Sequence, residues 1–156
     1  MNKKSLIILV IVAVVVGLAV LAQLLSKEEL NVWRGRVITS LNDEWLYYRG
    51  KVSELGDSPP IEGLEECSVP CLLTSSNYEG AWFVRVFEIP KLEGNAKVFL
   101  VFYGVKYASE VYVNGVLVGS SKDGFIPLKI DVTRYVEPGS NSLWVKVRDW
   151  TSALSK

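Results

Sequence analysis

The feature that most constrains this fold is Asn114-Gly115, set between Glu-Val-Tyr-Val (residues 110–113) and Val-Leu-Val (residues 116–118). Two β-branched runs separated by Asn-Gly form a hairpin, because both central residues of a type I′ turn need positive φ. Asn114 and Gly115 are therefore read as turn formers. The same grammar repeats along the chain. Residues 81–89 alternate with period two, placing Phe83, Arg85, Phe87 and Ile89 on one face and Trp82, Val84 and Val86 on the other, and stop at Pro90. That pattern predicts a half-buried strand. Further strands are expected at 45–48, 66–69, 125–130 and 143–147. Residues 97–103 are apolar on both faces, as suits a strand in the middle of a sandwich. Residues 53–63 hold two prolines and two glycines and read as a surface loop. Asp131 and Thr133 are candidates to cap a short turn reaching Val136. Seven or eight short strands with no amphipathic helix among them predict an all-β, antiparallel sandwich.

The first 25 residues are a different material. Residues 6–25 carry no charge, and Gln23 is their one strongly polar member. As a helix they extend about 30 Å, the thickness of a bilayer's hydrocarbon core. Lys3 and Lys4 precede the run, so the positive-inside bias leaves the N-terminus cytoplasmic and the C-terminal domain extracytoplasmic. The expectation is a single-pass membrane protein, with residues 1–25 a signal anchor and residues 26–40 a linker and lead-in strand. The competing reading is a cleaved signal peptide, for which Val20-Leu21-Ala22 offers a small-residue processing site. The run is long for a signal core and continues past that site, which favours the anchor.

Residues 26–156 hold 15 basic and 17 acidic residues, a net charge of −2. No basic block points to nucleic acid. The chain contains no histidine, which removes the commonest general base and the commonest metal ligand. Cys67 and Cys71 are too few for a zinc site without histidine, so no metal and no cofactor is expected. The two cysteines leave a disulfide and a pair of buried thiols open. A bond needs Cα atoms about 5.5 Å apart, so Ser68-Val69-Pro70 must turn to permit it.

Taken in order, Tyr78-Glu79-Gly80-Ala81-Trp82, the Gly104-Val105 step, Val111 to Gly115, Val118-Gly119, Asp131-Val132-Thr133 and Gly139-Ser140-Asn141-Ser142-Leu143 carry a resemblance. They resemble the sugar-binding, jelly-roll (galactose-binding-domain-like) domain that precedes the catalytic barrel in glycoside hydrolase family 2. That family includes β-galactosidases, β-glucuronidases and β-mannosidases. The likeness spans residues 41–150. It departs at Ser120-Ser121-Lys122-Asp123, where the family has a histidine-and-glycine stretch. The resemblance also implies a further Gly-Gly-Ile-like strand after the Trp150 strand, so residues 41–156 are expected to form the sandwich without its closing strand.

By resemblance, hydrolysis uses two barrel carboxylates about 5 Å apart. No acid of this chain matches them, so no catalytic residue is expected and the chain alone should be inactive. Residues 26–156 are also too short for an eight-unit barrel, which needs about 200 residues. The implied partners are carbohydrate, as a β-linked glycan or glycoside, and a catalytic glycosidase barrel in cis or in trans. Sugars offer an apolar face to aromatics and hydroxyls to amides and carboxylates. Asn77, Tyr78 and Glu79 are the leading contact candidates, because the family's equivalent loop approaches the active site. Trp82 and Asp123 are further candidates, against plain readings as core and turn. Two rival functions are a stand-alone cell-surface carbohydrate-binding module and a structural or interaction domain without sugar binding.

Overall fold

The computed structural model describes residues 35–73, 79–150 and 152. The chain divides into two compact units at Ser40/Leu41, and the sandwich is the second. The apolar run 6–25 lies outside the described residues. Among the described residues, no helix is long and apolar enough to cross a membrane.

Eight strands follow in chain order: β1 Trp45–Gly50, β2 Glu65–Cys67, β3 Gly80–Ile89, β4 Phe99–Phe102, β5 Ala108–Val113, β6 Val116–Ser121, β7 Leu128–Asp131 and β8 Gly139–Arg148. They form a six-stranded sheet ordered β2-β1-β3-β8-β5-β6, and a two-stranded sheet of β4 and β7. Every pairing is antiparallel. The all-β sandwich expected from alternation is the fold.

The core lies between the two sheets. Trp45, Phe87, Val111, Val113, Leu143 and Val145 project from the large sheet against Leu100 and Ile130 of the small one, with Val132 beside them. The inward row of β3 also carries Arg85, whose Nε and Nη1 are enclosed without a hydrogen-bond partner among the described residues. The hairpin has the predicted geometry, with φ of 50° at Asn114 and 79° at Gly115. A bulge between Val111 and Tyr112 then shifts the register of β5 against β6.

Four expectations are corrected. Residues 97–103 do not form a strand in the middle of a sandwich. β4 pairs with β7 alone, and its outward Phe99 and Val101 are exposed. Residues 125–127 are loop, and β7 begins only at Leu128. The segment 53–63 is not simply surface: a single 3-10 turn at Val52–Glu54 delivers Leu55, fully buried, onto the outer face of the large sheet. Asn114 is more than a turn former. Its Nδ2 donates to the Tyr135 carbonyl (2.8 Å) and to Asn141 Oδ1 (2.9 Å), while its own Oδ1 accepts from Ser142 N (2.9 Å).

Asp131 and Thr133 meet the capping expectation in a modified form. Asp131 Oδ1 accepts from Thr133 N (3.1 Å) and Thr133 Oγ1 (2.6 Å), and Thr133 Oγ1 accepts from Val98 N (3.0 Å), tying the end of β7 to the approach to β4. These bonds from Thr133, led by its hydroxyl, lower the Asp131 pKa. The sign follows: the contribution is present above the usual carboxylate range and is lost as pH falls through the lowered value.

Cys67 and Cys71 are free thiols here, each half-buried. Burial first, and a hydrogen bond with Cys71 second, push Cys67 up to about 12. A thiol so shifted stays protonated and unreactive near neutral pH.

Asn141 is the buried polar hub at the hairpin end. It accepts from Glu137 N (2.9 Å) and Asn114 Nδ2, and donates to the carbonyls of Glu137 (2.7 Å) and Gly139 (2.8 Å). Asn141→Ala strands several of these groups at once, and each orphaned buried group costs about 1–3 kcal/mol. Urea denaturation should show a loss of about 2–4 kcal/mol.

Candidate functional site

The strand registers bring one set of ends together. Gly80 lies opposite Arg148, Ala108 opposite Arg148, and Ser109 opposite Ser121. Gly50, at the end of β1, lies opposite Gly80. The loops that converge there are the approach to β3 at Glu79, the β4–β5 connection, the β6–β7 connection and the residues after β8.

Glu79 ties the approach to β3 to the end of β1 with its 3-10 turn and to the residues after β8. Its N–H donates to the Gly50 carbonyl (3.0 Å), and its own carbonyl accepts from Asp149 N (2.9 Å) and Ser152 Oγ (2.5 Å). Its carboxylate accepts from Val52 N (3.0 Å), where the 3-10 turn begins. Glu79 is thus exposed yet structurally engaged on both backbone and side chain.

Trp82 is corrected as a contact candidate. It is 0% exposed, and its indole N–H donates to the Leu55 carbonyl (2.5 Å). Tyr112 packs against its ring (centroids 5.4 Å apart), and Lys146 Nζ lies 5.2 Å from the ring centroid while donating to the Gly56 carbonyl (2.6 Å). The alternation correctly puts Trp82 on the outer face. It does not reveal that the segment around Leu55 folds over that face, leaving the side chain no surface for a ligand.

Asp123 is exposed on the β6–β7 loop. Its Oδ1 accepts from Phe125 N (2.9 Å), and Ser121 Oγ donates to its carbonyl (2.8 Å) while accepting from its N–H (3.1 Å). Such local side-chain bonds are how Asp and Ser stabilise turns. Asn77 and Tyr78 lie outside the described residues. Among the described residues, no three acidic or cysteine side chains gather to hold a metal.

The sequence reading missed the aromatic residues of this end. Tyr107, half-buried, is flanked edge-on by Trp150 (5.2 Å, 64° between planes) and Phe125 (5.9 Å, 63°). Its N–H donates to the Arg148 carbonyl (3.0 Å). Lys106 Nζ sits 4.3 Å from the Phe125 ring centroid. Each ring stands within a few residues of a strand end, from three loops far apart in sequence. An aromatic displaced just off a strand end is the signal that could have found Tyr107 and Trp150, whereas Phe125 falls inside the strand expected at 125–130.

Residues 71–156 match the family described as glycosyl hydrolase 2 galactose-binding domain-like. The chain is 38% identical over 94 residues to a β-galactosidase of Clostridium acetobutylicum, covering 60% of this chain and 10% of that protein. It is 35% identical over 119 residues to a β-galactosidase of Thermoanaerobacter pseudethanolicus, covering 68% of this chain and 16% of that one. Among solved structures it resembles a Faecalibacterium prausnitzii β-glucuronidase with a TM-score of 0.63 and 26% identity, over 70% of this chain and 20% of that chain. The chain thus spans a sixth or less of the length of these curated relatives.

The loop cluster depends on Gly124, whose backbone approaches the neighbouring loop. A Cβ there would lie 2.7 Å from Lys106 Cα and 2.8 Å from the Val105 carbonyl oxygen. Backbone atoms cannot yield as a flexible side chain can, so Gly124→Ala should push the two loops apart at a cost of about 1–3 kcal/mol. Thermal unfolding, with amide NMR shifts confined to residues 103–107 and 121–127, checks it.

Proposed function

We propose, because this chain belongs to the glycosyl hydrolase 2 galactose-binding domain-like family, that it is a carbohydrate-binding, jelly-roll sandwich accessory to a glycosidase whose catalytic barrel acts in cis or in trans. The observation that carries this reading is the gathering of Glu79, Asp123 and an aromatic cluster at one end of the sandwich. Binding sites are commonly built on loops held by a rigid scaffold, and sugar sites combine apolar surface with few polar groups. Asn77, Tyr78, Glu79 and Asp123 are the proposed polar contacts.

The ligand class is a β-linked glycan or glycoside. The chain by itself binds without cleaving, since no acid of it matches the family's catalytic pair. Full-length protein should bind saturably to at least one β-galactoside, β-glucuronide or β-mannoside on a glycan array. It should release no aglycone from the matching chromogenic substrates. An array without signal would leave the interaction-domain reading, and turnover above a denatured control would overturn the assignment of accessory domain.

The N-terminal segment supports a second part of the proposal: residues 6–25 anchor the domain in a membrane, with the sandwich on the extracytoplasmic side. Central Leu, Ile and Val residues each favour insertion by about 0.3–0.6 kcal/mol, so a charge-free run of this length inserts. The protein should stay in the membrane pellet through alkaline carbonate extraction and keep its N-terminal methionine-linked peptide by mass spectrometry. A mature start near Gln23 with the protein in the soluble fraction would replace the anchor with a cleaved signal.

A further inference from the structure

The rings at the loop end are exposed to an unusual degree for side chains so well fastened. Phe125 is 65% exposed and Trp150 56%. Tyr107 between Phe125 and Trp150 is held by its backbone bond to Arg148 and by the close approach of Gly124 to the Val105–Lys106 backbone. In an edge-to-face pair one ring gives its edge to the other, so the contact leaves ring faces uncovered. One approach to Phe125 is taken by Lys106, whereas Trp150 meets no aromatic or cationic side chain but Tyr107 among the described residues.

We propose that Trp150, braced by Tyr107, which Phe125 backs in turn, is a stacking platform for the apolar face of a pyranose ring, with Lys106 and Asp123 beside Phe125 to meet hydroxyl or carboxylate groups. This rests on the carbohydrate-binding reading above and names the surface that performs it. The C–H groups on one face of a β-pyranose are weakly positive, and the face of an indole is the negative pole of its quadrupole. A sugar occupant follows from the family to which the chain belongs, and its hydroxyls find partners in the charged groups beside the rings. Here an ammonium stands 4.3 Å from one of the cluster's own ring centroids, and Asp123 is two residues from the same ring. The platform is assembled from three loops, so it exists only in the folded domain and has no contiguous sequence motif.

The test uses the full chain in a detergent without a sugar headgroup. Calorimetric titration is made with methyl β-D-galactopyranoside, methyl β-D-glucopyranoside and methyl β-D-glucuronide. Trp150→Phe, which keeps an aromatic face, should bind within about threefold of the wild type. Trp150→Leu, which keeps apolar bulk without a π-face, should bind about tenfold or more weakly, with melting temperature unchanged. If the Trp150 variants fail to fold, Phe125→Leu carries the same expectation in weaker form. Wild-type affinity in Trp150→Leu would overturn the platform and leave the carbohydrate reading standing. Absence of binding by the wild type would remove both. Concentration-dependent self-association that Trp150→Leu abolishes, with sugar affinity unchanged, would reassign the patch to a protein contact and overturn the proposal.

Discussion

Ten consecutive residue pairs join β3 to β8, from Gly80 opposite Arg148 to Ile89 opposite Gly139. The remaining strands of the large sheet are placed relative to this ladder. β1 pairs along the free edge of β3 and β5 along the free edge of β8. Because side chains alternate between faces, this single register assigns Phe87, Leu143 and Val145 to the inner face, and Trp82 and Lys146 to the outer one. A slip by one residue would exchange the two sets. Leu143 and Val145 would then face the 3-10 turn, and Lys146 would face the core.

The same ladder makes the two ends of the sandwich different in character. At the hairpin end, Asn114 and Asn141 join the β5–β6 turn, the residues 135–137 and the start of β8 through uncharged hydrogen bonds. Networks of this kind rigidify when every member is satisfied. At the other end the hydrogen bonds converge on Glu79 and Asp149, while rings and charges remain at the surface. Stability is concentrated at one end and available chemistry at the other.

The six-stranded sheet is covered on its inner face, and on its outer face only around Trp82, since Val86 on that face is 61% exposed. The small β4–β7 sheet closes the inner face with Leu100 and Ile130. On the outer face the cover is irregular chain, where Leu55 seals Trp82 and the Leu55 carbonyl satisfies its indole N–H. A buried tryptophan needs such a partner, because an unmet N–H in the interior costs free energy. The segment 51–57 is therefore part of the folded domain's interior despite its loop-like composition.

Much of this fold was legible in the sequence because strand information is local. The period-two pattern of residues 81–89, the Asn-Gly turn with its required positive φ, and the alternation of residues 143–147 each state a strand and its faces within ten residues. The ordered motifs from Tyr78 to Leu143 likewise carried the family. The position of β4 was not legible, since an apolar run on both faces suits a covered strand and an exposed pair equally until its neighbours are known. Nor was the burial of Trp82, decided by Leu55 across 27 residues of chain. The aromatic cluster is the clearest case. Tyr107, Phe125 and Trp150 carry no local periodicity, and they meet only because the registers of β5, β6 and β8 end at the same edge. Sequence alone determined the strands, their faces and the hairpin, because backbone sterics and side-chain alternation act between near neighbours. Which loops meet, and which rings stay exposed there, only tertiary pairing decided, because those contacts are set by strand register across the whole sheet.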